Sequence, residues 1–201
     1  MFPIPAGVQT LIWLNVATFV VDAFLLDGRL RNELALYPVG AHEDGTPGFL
    51  PWQLVSYAFL HANFLHIFFN MFGLAMFGGD VERVWGRARF LVYYFVCVLA
   101  AGLVQEVFSW AVGSDAPTVG ASGGLFGVLL AFAVLFPQRR IIFLLLPIPL
   151  PAWLFVTLYG LAELYMGVTG TEAGVAHFAH LGGLVGGWLM IRYGNALSSR
   201  R

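Results

Sequence analysis

The sequence predicts an all-α, polytopic membrane protein, and three observations carry that prediction. Charged residues make up 10% of the 201-residue chain, against about 25% in a soluble globular protein. The apolar set reaches 59% even without glycine, and mean hydropathy is +0.80. Apolar runs of spanning length recur along the chain. In lipid the helix is the natural spanning element, because it satisfies its own backbone polar groups. Twenty-four glycines fit a bundle in which small residues let helices approach closely. A net charge of −1 argues against nucleic-acid binding. The single Cys97, inside an apolar run, excludes a disulfide framework and a cysteine-based zinc site.

The elements follow in order. Residues 9–26 are too long for a signal-peptide core and lack a basic stretch before them, so they read as a first span despite Asp22 near its end. Residues 27–61 read as an outer loop, on the Gly/Pro/acidic mix of Gly40, Glu43, Asp44, Gly45, Pro47 and Gly48. Further spans are expected at 62–79, 90–110, 121–136, 150–168 and 174–191, making six in a single membrane domain over residues 1–201.

Arginine placement tests that count. With six spans, one side holds Arg83, Arg87, Arg89, Arg139, Arg140, Arg192, Arg200 and Arg201, and the other only Arg29 and Arg31. The bias predicts that both termini are cytoplasmic and that the first loop lies outside. The fourth span is abnormal: from Ser122 to the stop at Pro137 it covers roughly 22 Å, short of the roughly 30 Å hydrocarbon core. Its start is therefore expected to be sunken. Gly113 to Gly120 then forms irregular backbone at membrane depth, which is tolerated only inside protein or along a wet cavity.

Polar residues gather where the second, fourth and sixth spans begin. The second opens with His61, Asn63, His66 and Asn70, the fourth with Gly120-Ala121-Ser122-Gly123, and the sixth with His177 and His180. His66, Ser122 and His180 all fall within about 10 Å of the outer boundary. Ionisable groups at such depth are costly and usually functional. Singly, each has a plainer role: Ser122 as a packing residue, His61 and His177 as interfacial groups, Asn70 as interhelical glue. Together they say more. His180, Gly183 and Gly187 lie at i, i+3 and i+7 on one face, which brings that helix close to a neighbour. If the neighbour is the Gly-rich fourth span, His180 reaches Ser122 as a base reaches a nucleophile.

These residues resemble the rhomboid family of intramembrane serine proteases. The matching elements are Gly120-Ala121-Ser122-Gly123, Ala179-His180 with Gly183 and Gly187, the His61, His66, Asn70 pattern, and Gly78-Gly79 with Glu82. The likeness runs from about Trp52 to Tyr193. It implies a six-helix core and a catalytic dyad, with Ser122 as nucleophile and His180 as general base. It also implies an oxyanion hole of His66, Asn70 and the Ser122 backbone N–H, with Gly120, Gly123, Phe126, Gly183 and Gly187 in support. No metal and no cofactor is expected. The implied partners are single-pass transmembrane substrates that enter from the lipid bilayer, with the site facing the outer side of the plasma or inner membrane. Two positions depart from the common pattern: Gln53 follows Trp52 where many members have Arg, and Phe126 stands where some have Tyr. Phenylalanine can still stack on the His180 ring. A third, acidic member is not expected; Asp115 and Glu172 are the candidates considered.

Two other classes compete. The histidine cluster suits a metal site, but no carboxylate is expected within it and no polar path continues across the bilayer. A catalytically dead rhomboid-like escort would ordinarily lack the serine or the histidine, and both are present.

Overall fold

The computed structural model describes residues 3–40, 48–143, 146–171 and 174–198. His42, Glu43, Asp44, Gly45 and Pro47 of the expected outer loop lie outside the described residues, as do Glu172, Arg200 and Arg201. Helix α1 spans Ala6–Phe24. Its first-turn N–H groups have no partner within the helix, and the buried Glu82 carboxylate accepts from two of them, Gly7 N at 2.8 Å and Val8 N at 2.7 Å. At the other end, buried Asp22 accepts from Leu30 N and Arg31 Nε at 2.9 and 2.8 Å. The charge inside the first apolar run thus anchors the loop that follows.

That loop is more structured than its composition suggests. It contains α2 (Arg29–Leu34), α3 (Gln53–Ser56) and a 3-10 turn at Tyr57–Phe59. A single bridge joins Leu36 to Thr118. Gln53 is fully buried; its side-chain oxygen accepts from Tyr37 N and Leu50 N, and its amide donates to Gly48 O. The glutamine that departs from the common pattern is therefore itself the peg that seats the loop.

Helix α4 (Phe64–Gly73) is capped by Asn63, whose side chain accepts from His66 N at 2.9 Å. It continues through a π-helical turn at Leu74–Gly78 into α5 (Gly79–Trp85). Then come α6 (Arg87–Val112) and α7 (Ser122–Leu135), followed by an antiparallel hairpin of β1 (Arg140–Phe143) and β2 (Leu146–Pro151), and finally α8 (Ala152–Thr169) and α9 (His177–Ser198). The hairpin, which sequence reasoning missed, pairs Arg140 with Pro151 and Ile141 with Leu150. Its prolines at 147, 149 and 151 share one parity, so the missing N–H groups fit an unpaired strand edge.

Six spans were expected, and helices stand at all six positions. Among the described residues, four are long and apolar enough to cross a membrane: Ala6–Phe24, Phe64–Trp85, Arg87–Val112 and Ala152–Thr169. The six-span count is corrected to that extent. Helix α7 is apolar but has only 14 residues, about 21 Å of rise. In α9, the histidines, glycines and Arg192 dilute the apolar character.

Helices α6, α7 and α9 form the centre of the bundle. Tyr57 donates to Val98 O at 2.8 Å and Tyr93 to Gly127 O at 2.7 Å, so these two buried hydroxyls meet backbone carbonyls. Glycines set the α7–α9 spacing. A Cβ on Gly183 would collide with the Gly123 carbonyl, and Gly187 lies against Gly127.

Candidate active site

Ser122 is the first residue of α7, so its N–H belongs to the unpaired first turn and points along the positive end of the helix. The chain reaches it through Gly120, held at φ +131° with its N–H donating to Tyr57 O at 2.9 Å. A side chain at 120 would be strained there, and its Cβ would lie 2.7 Å from His66 Nε2. Glycine at 120 therefore lets the His66 ring close over the entrance to α7.

The close α7–α9 packing brings His180 to Ser122: Nε2 lies 2.7 Å from Oγ. The ring of Phe126, one turn along α7, stacks on the His180 imidazole with centroids 4.4 Å apart and planes 8° from parallel. On the far side of the ring, His180 Nδ1 lies 2.8 Å from Glu163 Oε2. His177 Nδ1 lies 2.6 Å from the same oxygen, and His177 Nε2 is 3.2 Å from Thr171 O. Glu163, His177 and His180 are all buried.

The expectation that no carboxylate joins the histidine cluster is thereby corrected, and so is the choice of acidic candidates. Asp115 is exposed on the segment before α7, and Glu172 lies outside the described residues. Among the described residues, the acid that reaches His180 is Glu163, in the middle of α8. A signal for it was present in the sequence: Gly160, Glu163 and Gly167 lie at i, i+3 and i+7, the same glycine stripe that flags His180. A carboxylate on the glycine face of a span is costly and marks a candidate site.

His66 and Asn70 sit one turn apart on α4 and line the same cavity as Ser122 and His180. Ala62 N donates to His66 Nδ1 at 3.5 Å, which leaves the proton on Nε2, the nitrogen turned toward Gly120. Asn70 Nδ2 donates to His66 O at 2.9 Å with one of its two hydrogens. The cavity measures about 540 Å³, and its walls are largely apolar, with Phe69, Phe72, Leu125, Leu129 and Phe155 among them. The set offers a nucleophile, a base and several N–H donors in a largely apolar cleft. Glu163, His177 and His180 also bring ligand atoms within 4.8 Å of one another, a His₂Glu set that could hold zinc.

A multi-pass helical membrane protein with a serine and a histidine in contact at the start of a short apolar helix is a narrow class. A family model of the Rhomboid domain matches residues 49–195. The chain belongs to the rhomboid family. It is 30% identical over 185 residues to Rhomboid protease GluP of Bacillus subtilis, covering 90% of this chain and 34% of that protein. It is 34% identical over 143 residues to the Putative rhomboid protease YdcA of Bacillus subtilis, covering 69% and 65%. To Rhomboid protease GlpG of Serratia proteamaculans it is 28% identical over 184 residues, covering 88% and 60%. The chain spans from about a third to two thirds of the length of these curated relatives.

Proposed function

We propose that this chain is an intramembrane serine endopeptidase that cleaves transmembrane segments of membrane proteins near the outer face, with Ser122 as nucleophile and His180 as general base. One observation carries the reading: the 2.7 Å contact between Ser122 Oγ and His180 Nε2 on the wall of a largely apolar cavity. The names of the relatives, proteases all three, support it. His180 takes the Ser122 proton as Oγ attacks the scissile carbonyl. The oxyanion that forms is met by the Ser122 N–H, His66 Nε2–H and the second Asn70 amide hydrogen. His180 then gives its proton to the leaving amine, and a water cleaves the acyl-enzyme by the same route.

The substrate class that fits is a single-pass helix that unwinds locally at its outer end, entering the apolar cleft from the bilayer. The arginine asymmetry supports cytoplasmic termini in a plasma or inner membrane, with the site opening outward. The ligand distances at Glu163, His177 and His180 favour one second reading, a zinc site.

Purified protein with a model transmembrane substrate tests both. Cleavage that persists in chelator, with Ser122 covalently labelled by a serine-directed phosphonate, is the expected result. Absence of labelling and cleavage overturns the protease reading, and loss of cleavage with chelator transfers the cluster to a metal.

A further inference from the structure

We infer that Glu163 and His177 form a paired positioning unit behind His180. Glu163 holds the imidazole in the tautomer that a base requires, and His177, in contact with the same carboxylate oxygen, holds Glu163 in place. The inference rests on the protease reading above and extends its dyad by two residues.

Hydrogen-bond accounting leads there. An ionised carboxylate only accepts, so His180 Nδ1, 2.8 Å from Glu163 Oε2, carries a proton. Nε2 is then left with its lone pair facing Ser122 Oγ. In this tautomer the imidazole can take the serine proton, and the imidazolium that forms sits directly beside an anion. A flipped tautomer would present an N–H to the hydroxyl and could accept nothing from it.

A buried carboxylate is tolerated only where its oxygens are well hydrogen-bonded, and His177 supplies a second partner. Its Nδ1 faces Glu163 Oε2 at 2.6 Å and its Nε2 faces the Thr171 carbonyl at 3.2 Å. The ring is thereby held between two oxygen partners, which fixes its orientation and, through it, the position of the carboxylate. His180 stands between that pair and the serine, with Nδ1 toward Glu163 and Nε2 toward Ser122.

Packing supports the assignment. Gly160, Glu163 and Gly167 line the face of α8 that meets α9. A Cβ on Gly167 would lie 3.2 Å from His177 Cβ and 2.9 Å from the Phe178 ring. Glycine at 167 is what lets the first turn of α9 settle against the carboxylate. Phe126 fixes the plane of the His180 ring, while Glu163 fixes which nitrogen holds the proton.

The test uses the full chain in detergent, with Glu163→Gln, Glu163→Asp and His177→Ala beside wild type and Ser122→Ala. The measurements are kcat, KM, the rate of phosphonate labelling, melting temperature and proton NMR of ¹⁵N-histidine-labelled protein. Glu163→Gln keeps the shape but removes the charge, and is expected to lower kcat and labelling by roughly 10²–10⁴-fold with KM within about threefold. Glu163→Asp, which restores the charge on a shorter arm, recovers part of that loss. The downfield Nδ1–H signal of His180 disappears in Glu163→Gln and persists in Ser122→Ala. His177→Ala lowers kcat by at least roughly tenfold while the protein stays folded. A folded Glu163→Gln protein within about threefold of wild-type kcat overturns the inference, as does a parallel loss of kcat and melting temperature that Glu163→Asp does not reverse. Loss of wild-type activity in chelator overturns it as well, by reassigning the cluster to a metal. Failure of wild type itself to label refutes the protease reading instead, so the two failures are distinguishable.

Discussion

Gly183 on α9 lies so close to the Gly123 carbonyl on α7 that one added methyl group would collide with it. The obstacle is backbone, which cannot swing aside as a side chain does. This contact lies one turn from His180 and one residue from Ser122, so the helix spacing that it sets is also the spacing of those two side chains.

Gly183→Ala is therefore expected to cost about 1–3 kcal/mol through overpacking, and to lower turnover further by spreading the 2.7 Å contact. Gly194→Ala serves as control, because a Cβ there meets only the flexible Met190 side chain. Melting and turnover of the two variants are compared in one detergent; equal behaviour would remove the Gly183–Gly123 contact from the account of the site.

Ser122→Ala and His180→Ala are each expected to abolish cleavage while leaving a folded protein. The two act as a unit, so the double variant should be no worse than either single one. Full activity in His180→Ala would sink the assignment.

His66→Ala or Asn70→Ala should lower kcat by roughly 10²–10³-fold, the usual loss for a principal oxyanion donor, with little change in KM. Since Asn70 already donates one hydrogen to His66 O, His66→Ala is expected to be the more severe. A drop in melting temperature with normal turnover of the folded fraction would assign both residues to packing alone.

Glu82 is expected to matter for stability rather than chemistry. Its two carboxylate oxygens each take one N–H from the first turn of α1. Glu82→Ala leaves both donors buried without a partner, at about 1–3 kcal/mol each. Glu82→Gln keeps one acceptor and should fall between. Chemical unfolding in detergent reads the series, and an Ala variant as stable as wild type would refute the anchoring role.

His61, fully buried before α4, predicts an acid sensitivity. Burial, with His66 beside it, lowers its pKa from 6.5 to about 3, against a smaller upward pull from the Phe59 backbone. Between those values the unfolded chain binds a proton that the folded one does not, so stability rises with pH. It is lost as pH falls from about 6.5 toward 3, by up to roughly 1.4 kcal/mol per pH unit. His61→Phe should flatten that limb of a melting-temperature profile; an unchanged slope would place its cause elsewhere.

Much of this was legible from the chain alone, because it depends on local composition and period. Apolar length marks the spans that cross, Pro137 and the Gly-rich start mark the short α7, and spacing at i, i+3 and i+7 marks the face of α9 that packs closely. These signals lie within one helix and survive any arrangement of its neighbours. Within the first loop, composition indicated turns but could not show that buried Gln53 organises them, since its partners Tyr37, Leu50 and Gly48 are gathered by the fold.

The choice of acid beside His180 is of another kind. Asp115, Glu163 and Glu172 were all available in sequence, and nothing local ranks them by distance to an imidazole on a different helix. That distance is fixed by how far α8 rotates and how closely α9 can approach it. The approach of α9 is limited at Gly167, where His177 and Phe178 pack, a contact that exists only once the helices meet. The sequence by itself determined which helices carry the serine and the histidines and on which faces. Only the tertiary structure decided which faces meet, because a contact across 17 or 58 residues of chain is a property of packing and not of any segment.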